Sequence, residues 1–309
     1  MKVFKPKIIV ITGPTATGKS AVGALFAKTV DGEVVSADSM QVYEHMDIGT
    51  AKPTMEEMLG IRHHMLDIVP PWEDYSVARY VADAACCIDG IIDRGKLPVL
   101  VGGSGLYIDS LLSGREFSAR GDDALRRELE LEYDELGGKV MLHMLKELDP
   151  ETAERLHVND KKRIVRAIEV FKVSGKNISL HNRETRLLDP RYDADKYALT
   201  FSDRAVLYKR IERRVDMMMS NGLEQEVQAL LDMGVAPDAT AMQAIGYKEI
   251  VGAIQGQFSL GDAVEKIKME SRRYAKRQLT WLRRDNNIRW ITWDESPEIE
   301  RGATEIFKR

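Results

Sequence analysis

One glycine-rich stretch near the start of the chain limits what the chain can fold into. Residues 8–11 are all β-branched, as expected for a buried strand. Soon after them comes a segment with the spacing G-x-x-x-x-G-K-S, which consists of Gly13, Pro14, Thr15, Ala16, Thr17, Gly18, Lys19 and Ser20. Residues 21–28 then favour a helix. A strand, this loop and a helix in that order predict a P-loop.

The P-loop pattern carries a definite phosphate chemistry. Gly13 and Gly18 let the backbone turn tightly and point N–H groups at an anion, and the helix N-terminus adds partial positive charge. Lys19 supplies a full positive charge, and the hydroxyl of Ser20 is a ligand for Mg²⁺. We therefore expect a site for a di- or triphosphate, and the motif leaves the compound open.

Strand and helix patterns alternate after the P-loop. Strand-like runs occupy residues 33–37, 64–69 and 97–101. A long helical run occupies residues 76–94. This alternation predicts an α/β fold with a parallel sheet. Because ligands bind at the carboxyl ends of parallel strands, we expect the P-loop, residues 38–41 and residues 102–104 to meet in one crevice.

The character of the sequence changes near residue 115. Residues 115–195 are charged and helix-favouring, without a convincing strand, and they predict a helical insertion domain. Residues 1–114 and 196–309 then form one P-loop NTPase-like core around the parallel sheet. In residues 196–309 we expect two strands, at 196–201 and 288–293. Between them we expect four helices, at 203–220, 223–233, 247–256 and 260–285.

The charge distribution restricts how this chain can bind nucleic acid. The net charge of −4 excludes binding through a global positive field, so local basic patches are required. One such patch lies in the insertion and consists of Lys161, Lys162, Arg163 and Arg166. The other lies on a single predicted helix and consists of Lys266, Lys268, Arg272, Arg273, Lys276, Arg277, Arg283 and Arg284. A basic run is often only a solvated helix face, but the two patches together, with Tyr274 and Trp281 beside the second, indicate a phosphate backbone as partner.

The cysteines and the first residues of the chain bear on whether the protein has a disulfide or zinc site and on whether it is secreted or inserted in a membrane. Cys86 and Cys87 are adjacent inside a predicted helix, which suits neither a disulfide between them nor a zinc site, so we expect buried free thiols. The sequence contains neither a signal-peptide pattern nor an apolar run of membrane length. We therefore expect a cytoplasmic protein without a membrane partner, and a monomer.

Several polar residues are candidates for chemistry. Asp38 follows the second strand, where a carboxylate can act as a general base or direct a magnesium ion; a helix N-cap is the structural alternative. Gln41 is of the right type for bidentate pairing with an adenine edge. A third candidate is the group Arg210, Arg213 and Arg214, because an arginine that reaches the phosphates would neutralise charge on a leaving group. The alternative is that these arginines form a ladder of charges on the helix surface.

The chain resembles one family closely, the bacterial tRNA dimethylallyltransferases, also called tRNA isopentenyltransferases. The matching strings span nearly the whole chain in the family's order: GPTATGKS (13–20), DSMQVY (38–43), DIGTAKP (47–53), VGGSGLY (101–107), KRIVRAIEVFKVSGK (162–176), RIERR (210–214), IGYKE (245–249) and KRQLTWLR (276–283). DSMQVY with DIGTAKP is far more specific than the P-loop, which many families share.

The resemblance implies a reaction and its site. The dimethylallyl group of dimethylallyl diphosphate would pass to N6 of the adenine at position 37, in the anticodon stem-loop of tRNA, with Mg²⁺ and release of diphosphate. The implied diphosphate site is 13–20, with Ser20 on the metal, and the implied catalytic residues are Lys19, Asp38, Ser104 and Arg214. The implied tRNA-contacting residues are Asp38, Ser39, Met40, Gln41, Ser104, Arg126, Lys162, Arg163, Ile164, Val165 and Arg166. Ser104 stands where the family commonly has Thr, a change that keeps the hydroxyl.

Three rival functions share part of this pattern. A P-loop small-molecule or nucleotide kinase needs the P-loop and the carboxylate after the second strand but not two basic helical tracts. A non-catalytic RNA-binding module needs the tracts but not Lys19, Ser20 and Asp38. A prenyltransferase acting on free adenine nucleotides does not need the helical insertion.

Overall fold

A computed structural model describes residues 5–114, 122–186 and 189–308, which belong to two compact units. The first unit comprises Met1–Leu112 and Arg191–Arg309, and the second comprises Ser113–Pro190. The insertion therefore ends near residue 190 and not at the expected 195. The reason is that the strand after it begins at Asp193, where it already pairs with Lys7 of the first strand.

A six-stranded sheet forms the centre of the first unit. Its strands are β1 (Lys7–Thr12), β2 (Gly32–Ala37), β3 (His63–His64), β4 (Leu97–Gly102), β5 (Asp193–Phe201) and β6 (Arg289–Trp293). They lie in the order β3-β2-β4-β1-β5-β6, and every neighbouring pair is parallel. The prediction of a P-loop NTPase-like parallel sheet is confirmed.

The position of β1 explains its sequence. β1 lies between β4 and β5, and its residues Ile8, Val10 and Ile11 are completely buried. A strand that is covered on both faces reads as a continuous apolar run and not as an alternating one. The register then aligns the strand ends, because Thr12 is opposite Gly102 and Gly102 is opposite Ala37. The loops after β1, β2 and β4 therefore leave the sheet at one edge.

The helices follow the predicted order with local differences at their ends. They are α1 (Lys19–Thr29), α2 (Val77–Asp93), α3 (Gly105–Leu112), α4 (Asp123–Leu136), α5 (Gly138–Leu148), α6 (Pro150–Ala153), α7 (Lys161–Ser174), α8 (Ile178–Arg186), α9 (Arg204–Ser220), α10 (Leu223–Asp232), α11 (Tyr247–Ile254), α12 (Leu260–Leu282) and α13 (Ile299–Phe307). Ser259 and Asp262 form a capping box at the start of α12, which explains why this long helix begins where it does.

The third strand is much shorter than the expected 64–69. It ends at His64, because Met65 and Asp67 take left-handed backbone angles, with φ of 65° and 50°. An L-residue in that region cannot continue an extended strand. Farther along, residues 67–69 still form backbone hydrogen bonds with residues 41–44, including an isolated parallel bridge between Tyr43 and Val69, but no regular strand.

The second unit is helical throughout its described residues, 122–186, and has its own core. Gly137 separates α4 from α5 with a φ of 82°, a conformation that glycine adopts without strain. The core consists of the buried residues Leu129, Met141, Leu145, Ala153, Ile164, Val165, Ala167 and Ile168. The helical insertion thus stands as a packed unit by itself.

The helix surfaces bear on two further expectations. Cys86 is exposed and Cys87 is half-buried, so the expectation of two buried thiols is wrong for Cys86. The buried face of α2 is formed by Ala84, Ala85 and Ile88, and the helical repeat turns Cys86 away from it.

Across the residues that the structure describes, no helix is both long enough and apolar enough to cross a membrane.

Candidate active site

The phosphate loop is held in shape by contacts within the chain. The Thr17 hydroxyl donates to the Pro14 carbonyl at 2.8 Å, and Trp293 Nε1 donates to the Thr17 carbonyl at 2.9 Å. Gly13 has a φ of 146°, and a Cβ at this position would lie 2.5 Å from the Leu199 carbonyl oxygen. Gly18, with a φ of 81°, forms the N-cap of α1. A loop fixed in this way presents its N–H groups to an anion without further ordering.

Lys19 lies in a partly buried, electropositive setting. Its ammonium donates to the Pro14 carbonyl at 3.4 Å. Burial and the charge of Arg214 together lower the pKa of Lys19 to about 8, although the charge of Asp38 acts in the opposite direction. These effects show that Lys19, Arg214 and Asp38 share one electrostatic environment. A bound phosphate would favour the protonated lysine.

Arg214 is the arginine that belongs to this environment. Burial lowers the pKa of Arg214, while the charges of Asp38 and Glu57 raise it. Its Nε is buried and has no hydrogen-bond partner within the described part of the chain. Arg210 instead donates from Nε to the Ala16 carbonyl at 3.2 Å and so supports the loop. A buried guanidinium with an unused donor is suited to bind an anion.

Asp38 begins a tight turn at the end of β2. Its Oδ1 accepts the backbone N–H of Met40 at 3.0 Å, and no helix starts here, so the alternative of a helix N-cap is wrong. The next residue, Ser39, donates its backbone N–H to the Ser104 hydroxyl at 3.0 Å. The Ser104 backbone N–H in turn donates to the Ala37 carbonyl at 3.1 Å. The loops after β2 and β4 are therefore joined, as the sequence predicted for one crevice.

Gln41 is buried and uses its whole carboxamide within the chain. Its Nε2 donates to the carbonyls of Thr50 and Ala51, each at 3.2 Å, and its Oε1 accepts from the Ser36 hydroxyl at 3.1 Å. The expected pairing with an adenine edge is thus not available to this side chain while these bonds stand. Gln41 holds the segment around 50–51 against β2.

Two residues of α12 reach this site: Tyr274, which the sequence singled out only as an aromatic neighbour of the basic tract, and Gln278, which it did not single out. Gln278 accepts the Thr15 backbone N–H at 3.1 Å and donates to the Gly103 carbonyl at 3.0 Å. Burial and the Asp38 charge raise the pKa of Tyr274 to about 12, and hydrogen bonding by Ser104 and Gln278 offsets part of the rise. For Gln278 the signal in the sequence was the string 276–283, which was interpreted through its basic residues.

The basic residues of α12 divide into paired and unpaired ones. Arg272 pairs with Glu212, and Lys268 pairs with Asp216 at 2.8 Å. Four exposed basic residues near the end of the helix have no ion-pair partner among the residues described: Lys276, Arg277, Arg283 and Arg284. These four side chains are therefore available to bind phosphates.

The expected tRNA-contacting residues of the insertion have different surroundings. Lys162 and Arg163 are exposed at the start of α7, as a contact role requires. Ile164 and Val165 are 0% and 1% exposed in the core of the second unit, so their side chains are not available to tRNA and the expected contact is left to their backbone. The helical repeat turns these two positions inward. Arg166 is half-buried and forms an ion pair with Glu169.

Arg126 and Arg166 meet on one buried carboxylate. Arg126 donates to Glu169 through Nε at 3.2 Å and Nη2 at 3.0 Å, and Arg166 Nη1 lies 2.9 Å from the Glu169 Oε2 atom. Burial alone would raise the pKa of Glu169, but the hydrogen bonds from both arginines hold it below its usual value. Glu169 therefore fixes both guanidinium groups, and any contact to tRNA would use their outward-facing donors.

The donor set around Ser20 fits a magnesium ion that is held mainly by substrate. Ser20 is exposed in the first turn of α1, directly after Lys19. Within the described residues, no group of three or more His, Cys, Asp or Glu side chains could hold a metal. Mg²⁺ is commonly bound through one or two protein oxygens together with phosphate oxygens and water. A single hydroxyl beside a phosphate site is consistent with that mode.

The parallel sheet, the phosphate loop and the shared setting of Lys19, Arg214 and Asp38 define a P-loop enzyme that acts on a phosphorylated substrate. Comparison with known proteins gives the family. The profile described as IPP transferase matches residues 41–285, and one described as isopentenyl transferase matches residues 6–70. The chain belongs to the IPP transferase family.

Individual relatives agree with this assignment. The tRNA dimethylallyltransferase of Acetivibrio thermocellus is 48% identical over 95% of this chain and 94% of its own length. The crystal structure of the tRNA isopentenylpyrophosphate transferase of Bacillus halodurans is 40% identical, with a TM-score of 0.74, and covers 98% of this chain and 95% of its own. A eukaryotic dimethylallyltransferase described as acting on tRNA is 29% identical, with a TM-score of 0.81, over 98% of this chain and 77% of its own. The family resemblance seen in the sequence is confirmed.

Proposed function

We propose that this protein transfers the dimethylallyl group from dimethylallyl diphosphate to N6 of adenine 37 in the anticodon stem-loop of tRNA. The observation that carries the proposal is the common electrostatic environment of Lys19, Arg214 and Asp38 beside the P-loop. In this proposal the two cations stabilise the leaving diphosphate, and the carboxylate takes a proton from the acceptor. Family membership favours this reading over a kinase.

The residues divide the reaction between leaving group and acceptor. The adenine N6 is a weak nucleophile because its lone pair is delocalised into the ring, so Asp38 takes its proton as the new C–N bond forms. The C–O bond to diphosphate breaks in the same transfer. The negative charge that develops on the diphosphate is stabilised by the loop N–H groups, Lys19 and Arg214.

Two further groups complete the proposed site. The Ser104 hydroxyl accepts the Ser39 backbone N–H next to Asp38, and from there it would orient the adenine. Ser20 would hold Mg²⁺ together with the diphosphate oxygens, and the ion would supply additional charge stabilisation for the leaving group.

Basic side chains in both units would bind the phosphates of the nucleic-acid partner. We propose phosphate contacts for Lys162 and Arg163 of α7 and for the four exposed basic residues near the end of α12. The target adenine lies in a stacked loop and must be extruded to reach a pocket beside Asp38. This partner implies a cytoplasmic enzyme, and we propose that it acts as a monomer.

One assay tests the proposal against its rivals. Purified protein is incubated with Mg²⁺, radiolabelled dimethylallyl diphosphate and either tRNA, AMP or no acceptor, and ATP is tested in parallel as the phosphate donor. We expect label in tRNA, diphosphate in equal amount, and no need for ATP. Transfer to AMP in place of tRNA would indicate a nucleotide prenyltransferase. Formation of ADP with dimethylallyl diphosphate left intact would indicate a kinase.

A further inference from the structure

Helix α12 presents one stripe of side chains to the loop that follows β4. Tyr274, Gln278 and Trp281 are spaced by four and three residues, which places them on one helical face. A Cβ at Gly103 would lie 2.3 Å from Gln278 Nε2, and a Cβ at Gly105 would lie 2.5 Å from the Trp281 ring. The loop around Ser104 is therefore in direct contact with this face of α12.

Gln278 links that loop to the phosphate loop through the two ends of its carboxamide. Oε1 accepts the N–H of Thr15, and Nε2 donates to the carbonyl of Gly103. Gln278 is only 6% exposed, so water does not replace these bonds easily. Thr15 and Gln278 are 263 positions apart, and Gly103 and Gln278 are 175 apart, so the link depends wholly on the tertiary fold.

The two linked loops serve the two halves of the proposed transfer. Thr15 belongs to the loop for the leaving diphosphate, and Gly103 precedes Ser104, which contacts the Ser39 backbone next to Asp38. The distance between the two loops thus sets the distance between the donor carbon and the acceptor nitrogen. Reacting atoms must be held within a fraction of an ångström, and a misplacement of about 1 Å can cost about 100-fold in rate.

We propose that Gln278 is a positioning residue for the transfer reaction, which fixes the phosphate loop relative to the Ser104 loop. This inference rests on the proposed function, because it assigns Gln278 to that same site. The carboxamide is required since it offers an acceptor at one end and a donor at the other, and no charge. Neither a carboxylate nor an apolar side chain of the same size offers that combination.

Gln278→Glu tests the proposal through its pH dependence. The ionised glutamate can still accept from Thr15, but it places a second acceptor oxygen against the Gly103 carbonyl oxygen, where no proton is shared. When protonated, the same side chain donates an O–H and restores both bonds. We expect kcat/KM for dimethylallyl diphosphate to fall about tenfold or more at about pH 8. The ratio of variant to wild-type activity should recover by about fivefold or more toward about pH 6, because burial raises the pKa of a carboxyl group.

Two control variants separate positioning from charge and from folding. Gln255→Glu adds the same charge at an exposed site where the side chain already acts as an acceptor, and it should leave activity unchanged. Gln278→Met keeps the size but removes both bonds, so we expect a similar loss that shows no recovery in acid. The dissociation constant for tRNA should stay within about twofold in all three variants.

The following outcomes would overturn the inference. One such outcome is a kcat/KM of Gln278→Glu within about twofold of wild type at every pH. Another is a loss of kcat/KM that does not recover in acid. Either would show that the carboxamide does not position the loops. If the glutamate variant fails to fold by circular dichroism, Gln278→Met decides by the same twofold limit. Hydrogen exchange of the Thr15 amide is independent of activity: it should be faster in Gln278→Met, and unchanged exchange would also overturn the inference. Wild-type protein that prenylates no tRNA would instead refute the proposed function.

Discussion

Replacing Asp38 with asparagine removes its basicity and keeps the local turn. The Met40 N–H donates to Asp38 Oδ1 at 3.0 Å, and the amide oxygen of asparagine can accept the same hydrogen bond. The loop should therefore keep its shape, and tRNA should bind as before. A general base contributes about 10²–10⁴ in rate, or about 3–5 kcal/mol of activation free energy. We expect kcat for tRNA prenylation to fall by about this factor.

The same substitution also removes a negative charge, and the size of that side effect can be bounded. Burial and the charge of Arg214 together lower the pKa of Lys19 to about 8, and the Asp38 charge opposes this lowering, so the pKa falls further in the variant. With a pKa of about 8, about 90% of Lys19 is protonated at pH 7. A further fall of about one unit would still leave about half protonated, which is about a twofold effect. Loss of the base therefore dominates at neutral pH.

Single-turnover kinetics with saturating tRNA and dimethylallyl diphosphate measure this step directly. Asp238→Asn provides a matched control, because Asp238 is exposed and distant in sequence from the site. It should leave the rate unchanged. Should Asp38→Asn turn over within a few-fold of wild type, the carboxylate is not the base and the mechanism proposed above is wrong.

Three other predictions concern charge and packing. Because Lys19 loses its proton as pH rises through about 8, calorimetry should show weaker binding of dimethylallyl diphosphate above that pH, and Lys19→Arg should remove this dependence; a flat wild-type profile would contradict it. Replacing Lys162 and Arg163 together with alanine should lower the slope of log K against log salt for tRNA binding by up to about 0.7–0.9 for each phosphate that is no longer neutralised, and an unchanged slope would assign them to a solvated face. Ile164→Ala should destabilise the second unit by about 2–5 kcal/mol in denaturant unfolding, because Ile164 is fully buried; a change below about 1 kcal/mol would contradict its place in the core.

The sequence by itself determined those features whose physical causes are local. The apolar run of β1 and the glycine spacing after it predict a strand, a phosphate loop and a helix, because each depends on backbone freedom and burial within a few neighbouring residues. The alternation of elements predicts the parallel sheet, and the sheet brings the ends of β1, β2 and β4 together. Asp38 and Lys19 could thus be chosen as site residues from their positions after these strands.

Only the tertiary structure decided what depends on contacts between distant parts of the chain. Gln41 and Gln278 are the same residue type, yet the fold encloses Gln41 in bonds to its own loop and places Gln278 between Thr15 and Gly103. The fold likewise separated Arg214, with its unused buried donor, from Arg210 one helical turn earlier. A hydrogen bond across 263 positions leaves no periodicity or spacing in the sequence, because its geometry exists only after the sheet and α12 have packed.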